Sequence, residues 1–264
     1  MTKTYADGKM LAETVAGIGW ITFNQPEKRN AMSVGMWTGL EDILNDFDAD
    51  PSLRVVVMRG AGDKAFVSGA DISQFESQRA SGNAQVEYDR LTSAGRARLG
   101  AFAKPVIACI EGFCLGGGLG IAMQADLRFA ATGSAFGIPA SKLGIAYGYD
   151  MIDRLVSLVG QAHARTLLFS GDRIDAGEAE RIGLINKCLP ADALMPHVEK
   201  LAASIAANAP ISVGTMKRGV NEVMKRDSDK PGYDALVAAC FDSEDYREGR
   251  TAFMEKRTPL WTGK

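Results

Sequence analysis

The run Cys114-Leu115-Gly116-Gly117-Gly118-Leu119-Gly120-Ile121 limits the folds open to this chain more than any other segment. It follows the apolar stretch Pro105-Val106-Ile107-Ala108-Cys109-Ile110 and leads on into Ala122-Met123-Gln124-Ala125-Asp126. That order reads as a buried strand, a glycine turn and the start of a helix. With no side chains at the turn, backbone N–H groups stay open to a ligand, and the start of a helix adds partial positive charge at the same point. Such a turn suits an oxyanion as well as a phosphate. A tight, close-packed strand-to-helix junction fits the same residues. The dinucleotide pattern G-x-G-x-x-G fails, since its last position counted from Gly116 is Ile121, and no Gly-Lys-Ser/Thr of a P-loop follows.

A second turn has the same character. Phe66-Val67-Ser68-Gly69-Ala70-Asp71-Ile72 follows the strand-like residues 54–60, and the small residues Ser68, Gly69 and Ala70 again expose backbone. Two such turns, each at the C-terminal end of a strand, supply two N–H donors able to converge. One donor of this kind is worth roughly 10²–10³ in rate where an oxyanion develops.

Around these turns the apolar spacing predicts an α/β layered core. Strands are expected over 9–15 and 19–24, with a turn at Ala16-Gly17. Ser33 suits the cap of a helix running to about Phe47, with Met36, Leu40, Ile43, Leu44 and Phe47 on one face. Further strands are expected over 55–58, 106–110 and 127–131, and a helix over 84–102, ended by Pro105. The polar stretch 74–83 reads as a mobile segment over a site. After Gly148 the pattern is helical nearly to the end: Ile152, Leu155, Val156 and Val159 share a face, and helices are expected over 191–207, 211–224, 233–241 and 243–255. The region after Ala209 is too thin to hide its own apolar faces and is expected to pack on another subunit.

Composition narrows the function classes. A formal net charge of -2 argues against a broad nucleic-acid footprint, and the helix after Ala84 offers only Arg90, Arg96, Arg98 and Lys104 toward one. No apolar run approaches the roughly 20 residues of a membrane span. The first residues, Met1-Thr2-Lys3-Thr4-Tyr5-Ala6-Asp7, show no signal-peptide core, so a cytoplasmic location is expected. The four cysteines, at 109, 114, 188 and 240, form no CxxC pair and read as free thiols. His163 and His197 have no partner at metal-ligand spacing, so no metal site is expected.

The ordered pair F-x-x-G-A-D-I (Phe66 to Ile72) and G-x-x-L-G-G-G (Gly112 to Gly118) has companions along nearly the whole chain. They are Gly19-Trp20-Ile21-Thr22-Phe23-Asn24-Gln25-Pro26, Arg29-Asn30-Ala31-Met32, Phe136-Gly137-Ile138-Pro139, Leu143-Gly144 and Thr166-Leu167-Leu168-Phe169-Ser170-Gly171. Ala176-Gly177-Glu178-Ala179, Gly183-Leu184-Ile185 and Phe253-Met254-Glu255-Lys256-Arg257-Thr258-Pro259 complete the series. In this order and spacing they resemble the crotonase (enoyl-CoA hydratase/isomerase) superfamily.

The resemblance implies a crotonase-like core, a spiral of (ββα) repeats, over residues 1–208, and a C-terminal helical trimerisation region over 209–264, giving a homotrimer or a dimer of trimers. It implies an acyl-CoA thioester as substrate, with coenzyme A entering as part of that substrate and no separate cofactor. The shared step is stabilisation of an enolate oxygen by two backbone N–H groups, which by motif position are those of Ala70 and Gly117. Lys28, Arg29 and Ala31 fall where family members meet the nucleotide and pantetheine. Ser68, Ala70, Asp71 and Ile72 line the adenine and thioester turn, and Phe253 and Lys256 reach a neighbour's adenine. Asp71, Glu111 and Asp126 lie inside family motifs and are expected to hold turns.

The chain departs from the hydratase pattern at the proton-transfer positions. Enoyl-CoA hydratases use two glutamates to orient water and move its proton; at those positions this chain has Gly120 and Ala140. Tyr147 and Asp150 are the replacement candidates. A tyrosine at this place resembles methylmalonyl-CoA decarboxylase-like members, although those tend to carry histidine where Ala70 stands. Packing of the Tyr147 ring against the acyl pocket, and an N-cap role for Asp150, are the structural alternatives. Dehalogenases and dienoyl isomerases carry an aspartate at the position of Gly148. The expectation is therefore an acyl-CoA enzyme of the hydratase/isomerase group with a non-standard acid/base apparatus. The alternatives are an acyl-CoA decarboxylase or a catalytically silent acyl-CoA binder.

Overall fold

An antiparallel meander opens the chain: β1 (Lys3–Tyr5), β2 (Met10–Val15) and β3 (Ile18–Phe23). The computed structural model describes residues 1–71, 82–143, 147–224, 232, 235, 239 and 242–264. The turn expected at Ala16-Gly17 joins β2 to β3, with both residues at positive φ, 51° and 78°. Helix α1 (Val34–Ala49) starts at its expected cap, where the Ser33 side chain accepts from Met36 N at 3.3 Å. Its buried face holds Met36, Leu40, Ile43, Leu44 and Phe47, as the spacing requires, and adds Trp37.

Three ββα units follow. The first is β4 (Val55–Gly60), β5 (Ala65–Val67) and α2 (Gly82–Gly100). The second is β6 (Val106–Ile110), β7 (Phe113–Leu115) and α3 (Gly117–Ala122). The third is β8 (Leu127–Ala131), β9 (Ala135–Gly137) and α4 (Tyr149–Ser170), the last broken at Gly160. In each unit the first strand joins one sheet and the second joins another, so the chain spirals. β3, β4, β6 and β8 are successive parallel neighbours in the large sheet, and β5, β7 and β9 in the small one. β10 (Arg173–Asp175) then pairs antiparallel with β9. After α5 (Ala176–Arg181), β11 (Lys187–Leu189) pairs parallel with β8. These two strands interrupt the stretch after Gly148 that reads as helical; at three residues each they are too short for alternation to register.

Parallel strands are covered on both faces, and β4 shows it: Val56 and Met58 face one core, Val55 and Val57 the other. The second core is closed by Leu194, Val198 and Ala202 of α6 (Ala191–Ala206), and the His197 ring lies edge-on to Phe129 at 4.9 Å. Helix α7 (Pro210–Val223) is tied back through Lys217, whose Nζ donates to Lys104 O at 2.9 Å and meets Asp126 Oδ2 at 2.8 Å. Its opposite face leaves Met216, Val220 and Val223 more than half exposed. Helix α8 (Glu244–Glu255) comes last.

Most of the helix expected over 233–241 and most of the polar stretch 74–83 lie outside the described residues. Cys109, Cys114 and Cys188 are free thiols, and burial pushes the Cys109 thiol up to about 12. Among the described residues no helix is long and apolar enough to cross a membrane.

Candidate active site

Because β5 and β7 are parallel neighbours, the turns leaving their C-terminal ends stand side by side. The first turn is stitched to the loop before α1: Ser68 N donates to Arg29 O at 3.1 Å, Met32 N to Gly69 O at 2.8 Å and Asp71 N to Met32 O at 2.9 Å. Ala70 is the central residue of this parallel bridge, so its own N–H is turned away from Met32. In the second turn Gly116 N donates to Gly137 O at 2.9 Å. Gly117 then opens α3, where a helix leaves its first N–H groups without intrahelical partners. Among the described residues neither Ala70 N nor Gly117 N has an acceptor. A Cβ added to Gly117 would stand 4.0 Å from Ala70 N and meet nothing closer. Two amides without acceptors among the described residues therefore lie close together, at the ends of neighbouring strands.

Close backbone approach holds this arrangement. Gly116 has φ 50° and ψ -118°, a conformation open to glycine and strained for other residues. A Cβ on Gly118 would lie 2.0 Å from Val67 O, so α3 rests directly on the end of β5. Gly118→Ala is expected to force these backbones apart and destabilise the protein by about 3 kcal/mol or more. Urea unfolding of the variant beside the wild type checks this, and an unshifted midpoint would contradict the close contact.

One turn further along α3, at Gly120, which the resemblance sets at the first hydratase glutamate, the space is filled. A Cβ there would meet Met151 Sδ at 2.8 Å, Tyr147 Oη at 3.4 Å and Arg96 Cδ at 3.5 Å. Arg96, on α2, has a side chain 6% exposed, and it pairs with Asp150 Oδ2 at 3.0 Å through Nη2 and 3.1 Å through Nε. The guanidinium also lies 6.0 Å from the centre of the Trp37 ring. Asp150 is not the N-cap of α4: that place belongs to Gly148, and Asp150 sits in the first turn. Its carboxylate is held instead by Arg96, whose Cδ stands 3.5 Å from where a Cβ at Gly120 would be. Ala140, at the second glutamate position, is half-buried against the core.

Tyr147 is half-buried, and its Oη donates to Gly116 O at 2.9 Å. Burial raises the phenol above its usual range, with the Arg96 charge opposing, so the hydroxyl keeps its proton at neutral pH. That proton already has an acceptor in the backbone, which competes with the proton-donor role expected of this residue.

The residues expected to meet coenzyme A gather beside the first turn. Lys28 Nζ lies 2.8 Å from Asp71 Oδ2, Ala31 is buried and Ser68 Oγ donates to Lys28 O at 3.5 Å. Arg29 lies over the Phe113 ring at 5.2 Å, and Arg173 approaches the same ring at 5.1 Å. Asn30 fixes the loop to β5 by donating to Ala65 O at 2.7 Å. A cavity of about 260 Å³ opens here between Pro26, Arg29, Gly62 and Lys64. Ile72 and the side chain of Phe253 lie outside the described residues. Lys256 is exposed just past α8, at φ 55°.

Sequence reasoning missed Arg96, Met151 and the Gly116 carbonyl as parts of this site. Arg96 had a usable signal: it shares a helical face with Thr92 and Leu99, all three buried, and a charge on an apolar face asks for a partner.

Comparison with known proteins agrees with this fold. The family model described as enoyl-CoA hydratase/isomerase matches residues 13–264. A crotonyl-CoA hydratase of Syntrophomonas wolfei is 38% identical over 91% of this chain and 93% of its own length. A short-chain-enoyl-CoA hydratase of Clostridium acetobutylicum is 35% identical over 94% of this chain and 95% of its own. Among solved structures, an enoyl-CoA hydratase/carnithine racemase from Magnetospirillum magneticum superposes with a TM-score of 0.93 at 33% identity. That match covers 97% of this chain and 96% of the other.

Proposed function

The chain belongs to the enoyl-CoA hydratase/isomerase family. From that premise we propose that it acts on an acyl-CoA thioester by holding the developing enolate oxygen between the amides of Ala70 and Gly117, without two-glutamate water chemistry. The proximity of two acceptor-free amides, with Ala70 N 4.0 Å from where a Cβ at Gly117 would stand, supports this reading. Lys28, Arg29, Ala31, Ser68, Asp71 and Ile72 take the coenzyme A portion, with Phe253 and Lys256 supplied by a neighbour in a homotrimer or a dimer of trimers. The exposed apolar face of α7 supports such an assembly. Proton transfer at the α-carbon falls to Asp150 or to a water it orders.

A second reading is decarboxylation of a malonyl-type thioester. It is favoured by Gly120 and Ala140, because loss of carbon dioxide needs an enolate hole and a proton donor but no general base.

The test is a panel of short and long enoyl-CoA and malonyl-type CoA thioesters, each followed by mass spectrometry. The similarity to the Syntrophomonas wolfei crotonyl-CoA hydratase puts crotonyl-CoA first on it. A mass change in at least one thioester is the expected result, and loss of carbon dioxide selects the second reading. Tight binding of several thioesters with no mass change would sink the enzyme reading and leave a silent acyl-CoA binder.

A further inference from the structure

We propose that Tyr147 is a positioning residue of the oxyanion hole, acting through the peptide group that joins Gly116 to Gly117. The inference rests on the reading of Gly117 N–H as an oxyanion donor. The Tyr147 hydroxyl donates to Gly116 O at 2.9 Å. That carbonyl and the Gly117 N–H belong to one planar peptide unit, so whatever holds the oxygen also aims the N–H on the opposite side. Gly116 O accepts a second bond, from Gly120 N at 3.0 Å, which uses its other lone pair.

The peptide needs such a hold. Gly116 stands at φ 50° and ψ -118°, with nothing within 4 Å of where a Cβ would be, so sterics do little to fix its torsions. Rotation of this one plane would turn a carbonyl dipole, in place of an N–H, toward Ala70 N. Gly116 N is anchored to Gly137 O at 2.9 Å on the near side. The Tyr147 and Gly120 bonds anchor the far side, and of these two the Tyr147 bond is the one from outside the local turn.

The bond also strengthens the donor. A proton shared with a carbonyl oxygen draws electron density through the amide and leaves its N–H more positive; such cooperative strengthening is of the order of 10–30% per bond. The arrangement gives a reason for tyrosine at this place, whose hydroxyl shares the surroundings of Gly120 with Met151 Sδ and Arg96 Cδ. The hydroxyl oxygen stands 3.4 Å from where a Cβ at Gly120 would be, and, neutral and kept protonated by burial, it donates throughout the working pH range.

The experiment reads the thioester carbonyl directly. Saturated butyryl-CoA, isotope-labelled at that carbonyl, is bound to the wild type, to Tyr147→Phe and to the protein carrying meta-fluorotyrosine at position 147, and isotope-edited infrared difference spectra are recorded. The wild type is expected to shift the carbonyl band to lower frequency on binding. Tyr147→Phe gives back a large part of that shift, and the fluorinated phenol, a stronger donor, enlarges it. On any thioester that turns over, Tyr147→Phe lowers kcat about tenfold, part of the ~10²–10³ that a whole donor is worth, with KM nearly unchanged. A carbonyl band in Tyr147→Phe identical to that of the wild type overturns the proposal whatever kcat does; together with a fall in kcat it makes the tyrosine a proton donor instead. A wild-type spectrum with no shift on binding strikes at the oxyanion-hole reading itself and so separates the two failures.

Discussion

Gly117→Pro is expected to fold and to lose about 10²–10³ in kcat/KM, the cost of removing one oxyanion donor. Gly117 is the first residue of α3, where proline is well tolerated because the missing N–H is not part of the helix ladder. Among the described residues that N–H has no acceptor, so deleting it breaks no internal bond. Proline restricts its predecessor, and the predecessor is a glycine, the residue best able to accept the restriction. Room exists for the ring on one side at least, since a Cβ at 117 would meet only Ala70 N at 4.0 Å. Gly117→Ala is the control: it adds the same Cβ but keeps the donor. Steady-state kinetics on the best substrate of the panel, with circular dichroism to confirm folding, decides the matter. Equal losses in the two variants would assign the effect to bulk at position 117. Wild-type activity in the proline variant would remove Gly117 from the hole altogether.

Much of this site was legible in the sequence because its signals are local. The two turns announce themselves as small residues directly after apolar runs, and α1 through a capping serine and an apolar stripe. The strands β1, β5, β7, β9, β10 and β11 were not legible, since three residues cannot show an alternating period. That gap matters for function: the β5–β7 pairing that sets the two turns side by side lies among the missed elements. The polar contacts of the site are missed for a different reason. Arg96 meets Asp150 across 54 residues of chain, and Tyr147 meets Gly116 across 31. Motif positions name Tyr147 and Asp150 as unusual, but only the tertiary arrangement shows what they bind. For Tyr147 the difference is one of role: a hydroxyl read as a free proton donor is directed at a backbone carbonyl.

Crotonyl-CoA hydration by the wild-type protein is expected to run far below the median enzyme turnover of about 10 s⁻¹. General acid–base groups each contribute roughly 10²–10⁴, and at the two positions that the resemblance assigns to hydratase glutamates this chain has Gly120 and Ala140, neither of which transfers a proton. The deficit should amount to about 10⁴ or more relative to a two-glutamate hydratase. Writing one glutamate back does not repair it. In Gly120→Glu the new Cβ meets Met151 Sδ at 2.8 Å, and the carboxylate must enter a space held by Tyr147 and Arg96. There it competes with Asp150 for the same guanidinium, so two carboxylates share one cation and repel each other. A gain of less than about tenfold is expected from Gly120→Glu alone, against the ~10²–10⁴ that a well-placed group supplies. Adding Ala140→Glu and Met151→Ala supplies the second carboxylate and opens the space, and that triple variant should hydrate measurably faster than Gly120→Glu. Absorbance loss of the enoyl thioester, followed in parallel for the three proteins, gives the comparison. Wild-type hydration at about 10 s⁻¹ or above would mean that the two positions do not control the reaction. Asp150→Asn would then test the replacement, since Asp150 provides the carboxylate that pairs with Arg96.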